Sequence, residues 1–141
     1  MISNDQILKS FLTPEMDHYF QKKFVHEDVV LVRSKVTELL KFLLLLHHAE
    51  GDIPVSQEVD EVWHLWIMQT KQYQELCEKL PSQKFIHHCS NDYPSETEDI
   101  SDDLKSDSAL SYLVSYVNNF EPFTEESVIY WPTAAKLLST V

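Results

Sequence analysis

A chain of 141 residues, 43% of them apolar, is long enough to close one hydrophobic core and too apolar to be disordered throughout. Its formal charge of −12, with no basic stripe to neutralise phosphates, argues against nucleic acid and anionic membranes as partners. Gly51 is the only glycine, which removes Walker and dinucleotide loops and leaves little for tight hairpins, so helices joined by polar loops are expected.

Residues 1–5 lack the basic and apolar parts of a signal peptide. The longest apolar run, residues 42–46, is far shorter than the ~20 residues that span a bilayer. Cys77 and Cys89 are therefore expected as free thiols in a reducing cytoplasm, within a single helical domain over residues 1–141.

Ser3 with Gln6 three residues on resembles a capping box for a short helix carrying Ile7, Leu8, Phe11 and Leu12. Thr13, Pro14 and Glu15 read as N-cap, first helical position and first-turn acid of a second helix with Met16, Tyr19, Phe20 and Phe24. Val29, Val32, Val36, Leu39, Leu40, Leu43 and His47 then recur in three- and four-residue steps, with Arg33, Lys35, Glu38 and Lys41 between them. Residues 43–46 are apolar all round, which implies burial on most sides. Glu50, Gly51 and Asp52, with Pro54 behind them, stop this long central helix.

Ser56 caps the next helix, and Glu58 is well placed against its dipole. Its seam is Val59, Val62/Trp63, Trp66, Thr70, Tyr73, Cys77 and Leu80, read as one continuous helix that Pro81 ends. Residues 91–108 are acidic and serine-rich, with Pro94, and read as a long mobile loop. Periodicity resumes at Leu110, Leu113, Val114 and Val117, with Tyr112 and Tyr116 alongside. Thr124, Glu125 and Glu126 can cap a last short helix through Val128 and Trp131, broken by Pro132. There is no internal repeat and no convincing strand. The expected fold is all-α, an antiparallel helical bundle of about five helices with a long acidic loop.

Helical steps of 100° put Asp60 and His64 on adjoining turns of one face, flanking the Trp63/Trp66 seam. An acid and an imidazole so spaced can chelate a metal, or the acid can orient the ring. His87 and His88 follow a connection short enough to fold back over that helix. Two histidines with a carboxylate would suit Zn²⁺ or Fe²⁺. The bland alternative is a helix-edge ion pair beside buried tryptophans, with two histidines in a loop. Cys77, 13 residues beyond His64, is ~20 Å along a continuous helix and reads as core. Cys89 is better placed as a soft ligand. His47 and His48 read as C-terminal capping cations, with His47 the preferred outside candidate for a further ligand.

Pro54, Val55 and Ser56, then Val59, Asp60, Trp63 and His64, then Thr70, Tyr73, Cys77 and 85–88 (Phe-Ile-His-His) together resemble the glycine-rich domain-containing protein-like family. Residues 112–120 and 129–132 look like that family's closing element, so the likeness covers roughly residues 35–132. Two departures stand out. Trp66 occupies a place where that family often has a second histidine, and Gln83-Lys84 one where it usually has a glycine. The resemblance implies a helical fold and a site around the Trp-His and His-His pieces, without a reaction.

These readings converge on a polar pocket of Asp60, His64, His87 and His88, walled by Trp63 and Trp66, that binds a small ligand or a metal ion. The alternative is a non-catalytic protein-interaction module docking through the acidic residues 91–108. An enzyme with a zinc-bound water, or with a facial two-histidine-one-carboxylate iron, is a third reading. Substrate, partner and oligomeric state are not legible in the chain.

Overall fold

Side-chain caps set where the helices begin. Ser3 and Gln6 form the reciprocal capping box of α1 (Asn4–Phe11), and the Thr13 hydroxyl accepts from the Met16 amide to open α2 (Pro14–Lys23). Asp28 caps α3 (Val29–Leu45) through the Val30 amide, and Ser56 caps α4 (Gln57–Met68) through the Val59 amide. The computed structural model describes residues 2–46, 56–81, 83, 85–86, 113–131 and 134. Within them follow α5 (Thr70–Lys79), a helical stretch at 113–119 and a 3-10 turn, Val128–Tyr130. Among the described residues the only strand-like pairing is one bridge between Ile2 and Phe120. The chain is an all-α bundle.

α3 is its axis, packing against α1, α2 and α4. Every residue from 35 to 45 is buried, so this helix has no solvent face over three turns. That departs from the sequence pattern, in which Lys35, Glu38 and Lys41 interrupt the apolar positions like an ordinary polar side. α1, α2, α4 and the stretch that carries Tyr116 pack on α3. Glu38 and Lys41 pair with each other in the interior, and Lys35 pairs with the half-buried Glu27. The expected member His47 and its neighbour His48 lie outside the described residues, as do Cys89 and residues 91–108.

Two further expectations change. The seam from Val59 to Leu80 is not one helix, because the backbone breaks at Gln69 (φ −92°, ψ 73°), which ends α4 and starts α5. Thr70, expected in the seam, is exposed at the start of α5. In 113–119 the buried residue is Tyr116, while Val114 and Val117 are 56% and 48% exposed. The aromatic ring and its hydroxyl have partners inside that a valine could not satisfy.

A candidate site on the fourth helix and a buried charge hub

On α4 the inward face is Val59, Val62, Trp63 and Trp66. Asp60, half-buried, and His64, exposed, lie beside that face one turn apart, as their spacing predicted. Trp63 meets Phe42 of α3 edge-on at 5.2 Å between ring centres, and Trp66 meets Phe20 of α2 at 5.4 Å. Both tryptophans are core residues. The Trp66 indole N–H is buried without an acceptor among the described residues, whereas the Trp63 indole donates to the Tyr73 hydroxyl at 2.9 Å.

That last bond explains the break at Gln69. Ten residues along an unbroken helix would separate Trp63 from Tyr73 by ~15 Å. Bending the chain at Gln69 lets α5 return against α4 and brings the two side chains within hydrogen-bond reach. The Tyr73 hydroxyl then donates to the Ile86 carbonyl at 2.7 Å, and Phe85 packs edge-on against the Tyr73 ring. Burial raises the Tyr73 pKa above its ordinary value; the Trp63 indole, donating to its oxygen, opposes part of that rise. Tyr73 thus keeps its proton and serves as donor and acceptor at once.

The relay Trp63–Tyr73–Ile86 joins the residue before His64 to the residue before His87. His87 and His88 themselves lie outside the described residues, and the proximity of their rings to Asp60 and His64 stays an expectation. Among the described residues no three His, Cys, Asp or Glu side chains come together as a metal site. Cys77 is a buried free thiol, as its place in the seam suggested.

A second constellation was not anticipated. Glu38 and Lys41, 2% and 1% exposed, pair at 3.1 Å on the inner turn of α3. Oε1 of Glu38 also accepts from the Tyr116 hydroxyl at 2.7 Å and from the Trp131 indole at 3.0 Å. Lys41 donates to the Tyr116 oxygen at 2.8 Å and lies 4.8 Å from the centre of its ring. Burial first, and the Glu38 carboxylate second, push the Tyr116 hydroxyl far above its usual range. Its ring stacks on Phe123 at 3.9 Å. One signal for this hub was available. Between Val36 and Leu46 only Thr37, Glu38 and Lys41 are polar, too few for a solvated helix face. What no local pattern gives is the partner, because Tyr116 and Trp131 lie 78 and 93 residues from Glu38.

A family model described as UCP032817-like matches residues 3–122. The chain belongs to this family. The UCP032817-like match takes in α1 to α5 and Tyr116, and ends before Trp131. No curated protein and no solved structure matches the chain. The match corrects the resemblance to the glycine-rich domain-containing protein-like family. Several residues that carried that likeness are buried positions, among them Ser56, Val59, Trp63, Tyr73, Cys77, Phe120, Tyr130 and Trp131, while His64, Thr70 and Phe85 are exposed. Helices packed on a core need such residues at such spacings whatever the family, and Trp66 and Gln83-Lys84 had already departed from the pattern.

Proposed function

We propose that this chain is a small helical binding domain. Its ligand, a metal ion such as Zn²⁺ or Fe²⁺ or a small molecule, is taken by Asp60 and His64 at the edge of α4 together with His87 and His88. In this reading His64 and one of the paired histidines coordinate or hydrogen-bond the ligand, Asp60 orients the His64 ring, and Trp63 and Trp66 back the site from the core. The observation that carries it is the two-bond relay from Trp63 through Tyr73 to Ile86. It ties the chain just before the histidine pair to the helix that bears His64, and it does so with buried groups that cannot move cheaply.

The test uses the purified full chain. Elemental analysis and titration with Zn²⁺ and Fe²⁺ under reducing conditions should find one ion per chain. A hundredfold excess over Kd should stabilise the protein by about 2.7 kcal/mol, raising Tm by roughly 5–10 °C. His64→Ala and His87→Ala should each abolish that rise while leaving the helical circular dichroism intact. A metal-free protein whose Tm ignores both ions rejects the metal form. A rise that survives both substitutions places binding elsewhere.

A further inference from the structure

The buried hub and the proposed site share one neighbour. Phe42 follows Glu38 by one helical turn on α3, and its ring lies 6.4 Å from Trp131 on one side and 5.2 Å from Trp63 on the other. The Tyr116 hydroxyl and the Trp131 indole, which both donate to Glu38, belong to residues 113–131. We infer that this segment is a strap, latched on the buried Glu38–Lys41 pair, whose docking controls the Trp63–Tyr73–Ile86 relay through Phe42. The strap is a regulator of the proposed binding site and to that extent rests on that reading.

The latch has the energetics of a two-state device. An apolar strap would be held by burial alone. Here docking also strips water from a carboxylate and an ammonium, a cost that their mutual attraction and the Tyr116 and Trp131 bonds must offset. Docking therefore sets the burial of Tyr116, Phe120, Tyr130 and Trp131 against the desolvation of two ions. Release does not separate the two charges. Glu38 and Lys41 sit three residues apart on the same helix, so their ion pair survives in water after the strap has gone. What release removes is the Trp131 ring against Phe42, and with it one wall of the contact that seats Trp63. The strap also holds the amino terminus, since the Ile2 amide donates to the Asn119 carbonyl at 2.8 Å.

Three tryptophans give three indole N–H signals in a ¹⁵N-labelled full chain, so both ends of the connection can be read without any ligand. Tyr116→Phe keeps the ring and deletes the hydroxyl between Lys41 and Glu38. The expected result is faster hydrogen exchange, on the order of tenfold or more, at the Trp131 indole and the Phe120 amide. A parallel acceleration is expected at the Trp63 indole. Adding Phe42→Leu should reduce the Trp63 response to Tyr116→Phe to less than about twofold while the strap still opens. Acceleration at Trp131 with Trp63 unmoved would overturn the coupling, and no change at either would overturn the latch. Should Tyr116→Phe not fold, the unsubstituted chain in low urea supplies the test. Trp131, Phe120 and Trp63 should then open at one shared free energy, and separate openings refute the strap. Zn²⁺ binding is read independently, so coupled exchange in a protein that binds no metal sinks the metal site and spares the strap.

Discussion

Removing one member of the Glu38–Lys41 pair should cost nearly as much as removing both. At 3.1 Å and an effective dielectric constant of about 20, the attraction is on the order of 5 kcal/mol, comparable to the desolvation of the two ions. The pair as a whole therefore adds little net stability. Lys41→Met alone leaves a carboxylate buried without its counter-charge, and Glu38→Leu alone leaves an ammonium facing the Tyr116 oxygen. Each single change should destabilise by about 3–5 kcal/mol. The double variant Glu38→Leu/Lys41→Met should be far more stable than the sum of the singles, recovering the part due to an unpaired charge. It should still lose about 1–3 kcal/mol for each of the Tyr116 hydroxyl and the Trp131 indole, which are left without the carboxylate. Urea unfolding followed by tryptophan fluorescence and far-ultraviolet circular dichroism gives all four corners of the cycle. A coupling energy below about 1 kcal/mol, or a double variant as unstable as the sum of the singles, would show that these charges are not desolvated together and refute the reasoning.

Tyr73→Phe withdraws an acceptor from the Trp63 indole and a donor from the Ile86 carbonyl in a buried setting, and should cost about 2–3 kcal/mol in urea unfolding. A loss under 0.5 kcal/mol, roughly the scale of a neutral surface change, would mean water replaces the hydroxyl easily. Alkaline pH should unfold the protein through Tyr73 and Tyr116. Burial raises both folded pKa values above their ordinary 10.0, so their contribution is whole below pH 10 and falls as pH rises, by about 1.4 kcal/mol per pH unit for each. Stability measured from pH 9 to 11.5 should show a shallower slope in either Phe variant, and an unchanged slope in both would contradict the assignment. Gln83 has φ 56°, a left-handed conformation that favours glycine, so Gln83→Gly should stabilise by roughly 0.5–1 kcal/mol once its extra unfolded-state freedom is deducted. A lower Tm for that variant would argue against strain at this turn.

The chain's local chemistry announced much of the fold. Ser3 with Gln6, Thr13 before Pro14, and Ser56 all cap helices where their side chains predicted, because a cap is settled within three or four residues. Three- and four-residue spacing placed α3 and α4 and put Asp60 beside His64 for the same reason. Where the reading failed, a distant partner had outvoted the local pattern. Val114 and Val117 looked like a core stripe, yet Tyr116 turned inward because Glu38 and Lys41 wait there. The seam through Thr70 looked continuous, yet it bends so that Tyr73 can reach Trp63. The glycine-rich resemblance rested in part on buried residues such as Val59, Trp63, Tyr73 and Cys77, which report helix packing more than ancestry, and the family match over residues 3–122 replaced it.

The caps at Ser3, Thr13 and Ser56, the starts of the helices behind them and the all-α class were determined by the sequence alone, because each depends on side chains within a turn of one another. Which charges are buried, which face of 113–119 points inward and what meets Tyr73 were decided only by the tertiary structure. Those outcomes hinge on hydrogen bonds between residues up to 93 positions apart. No local periodicity encodes the cost of leaving such a buried group unpaired.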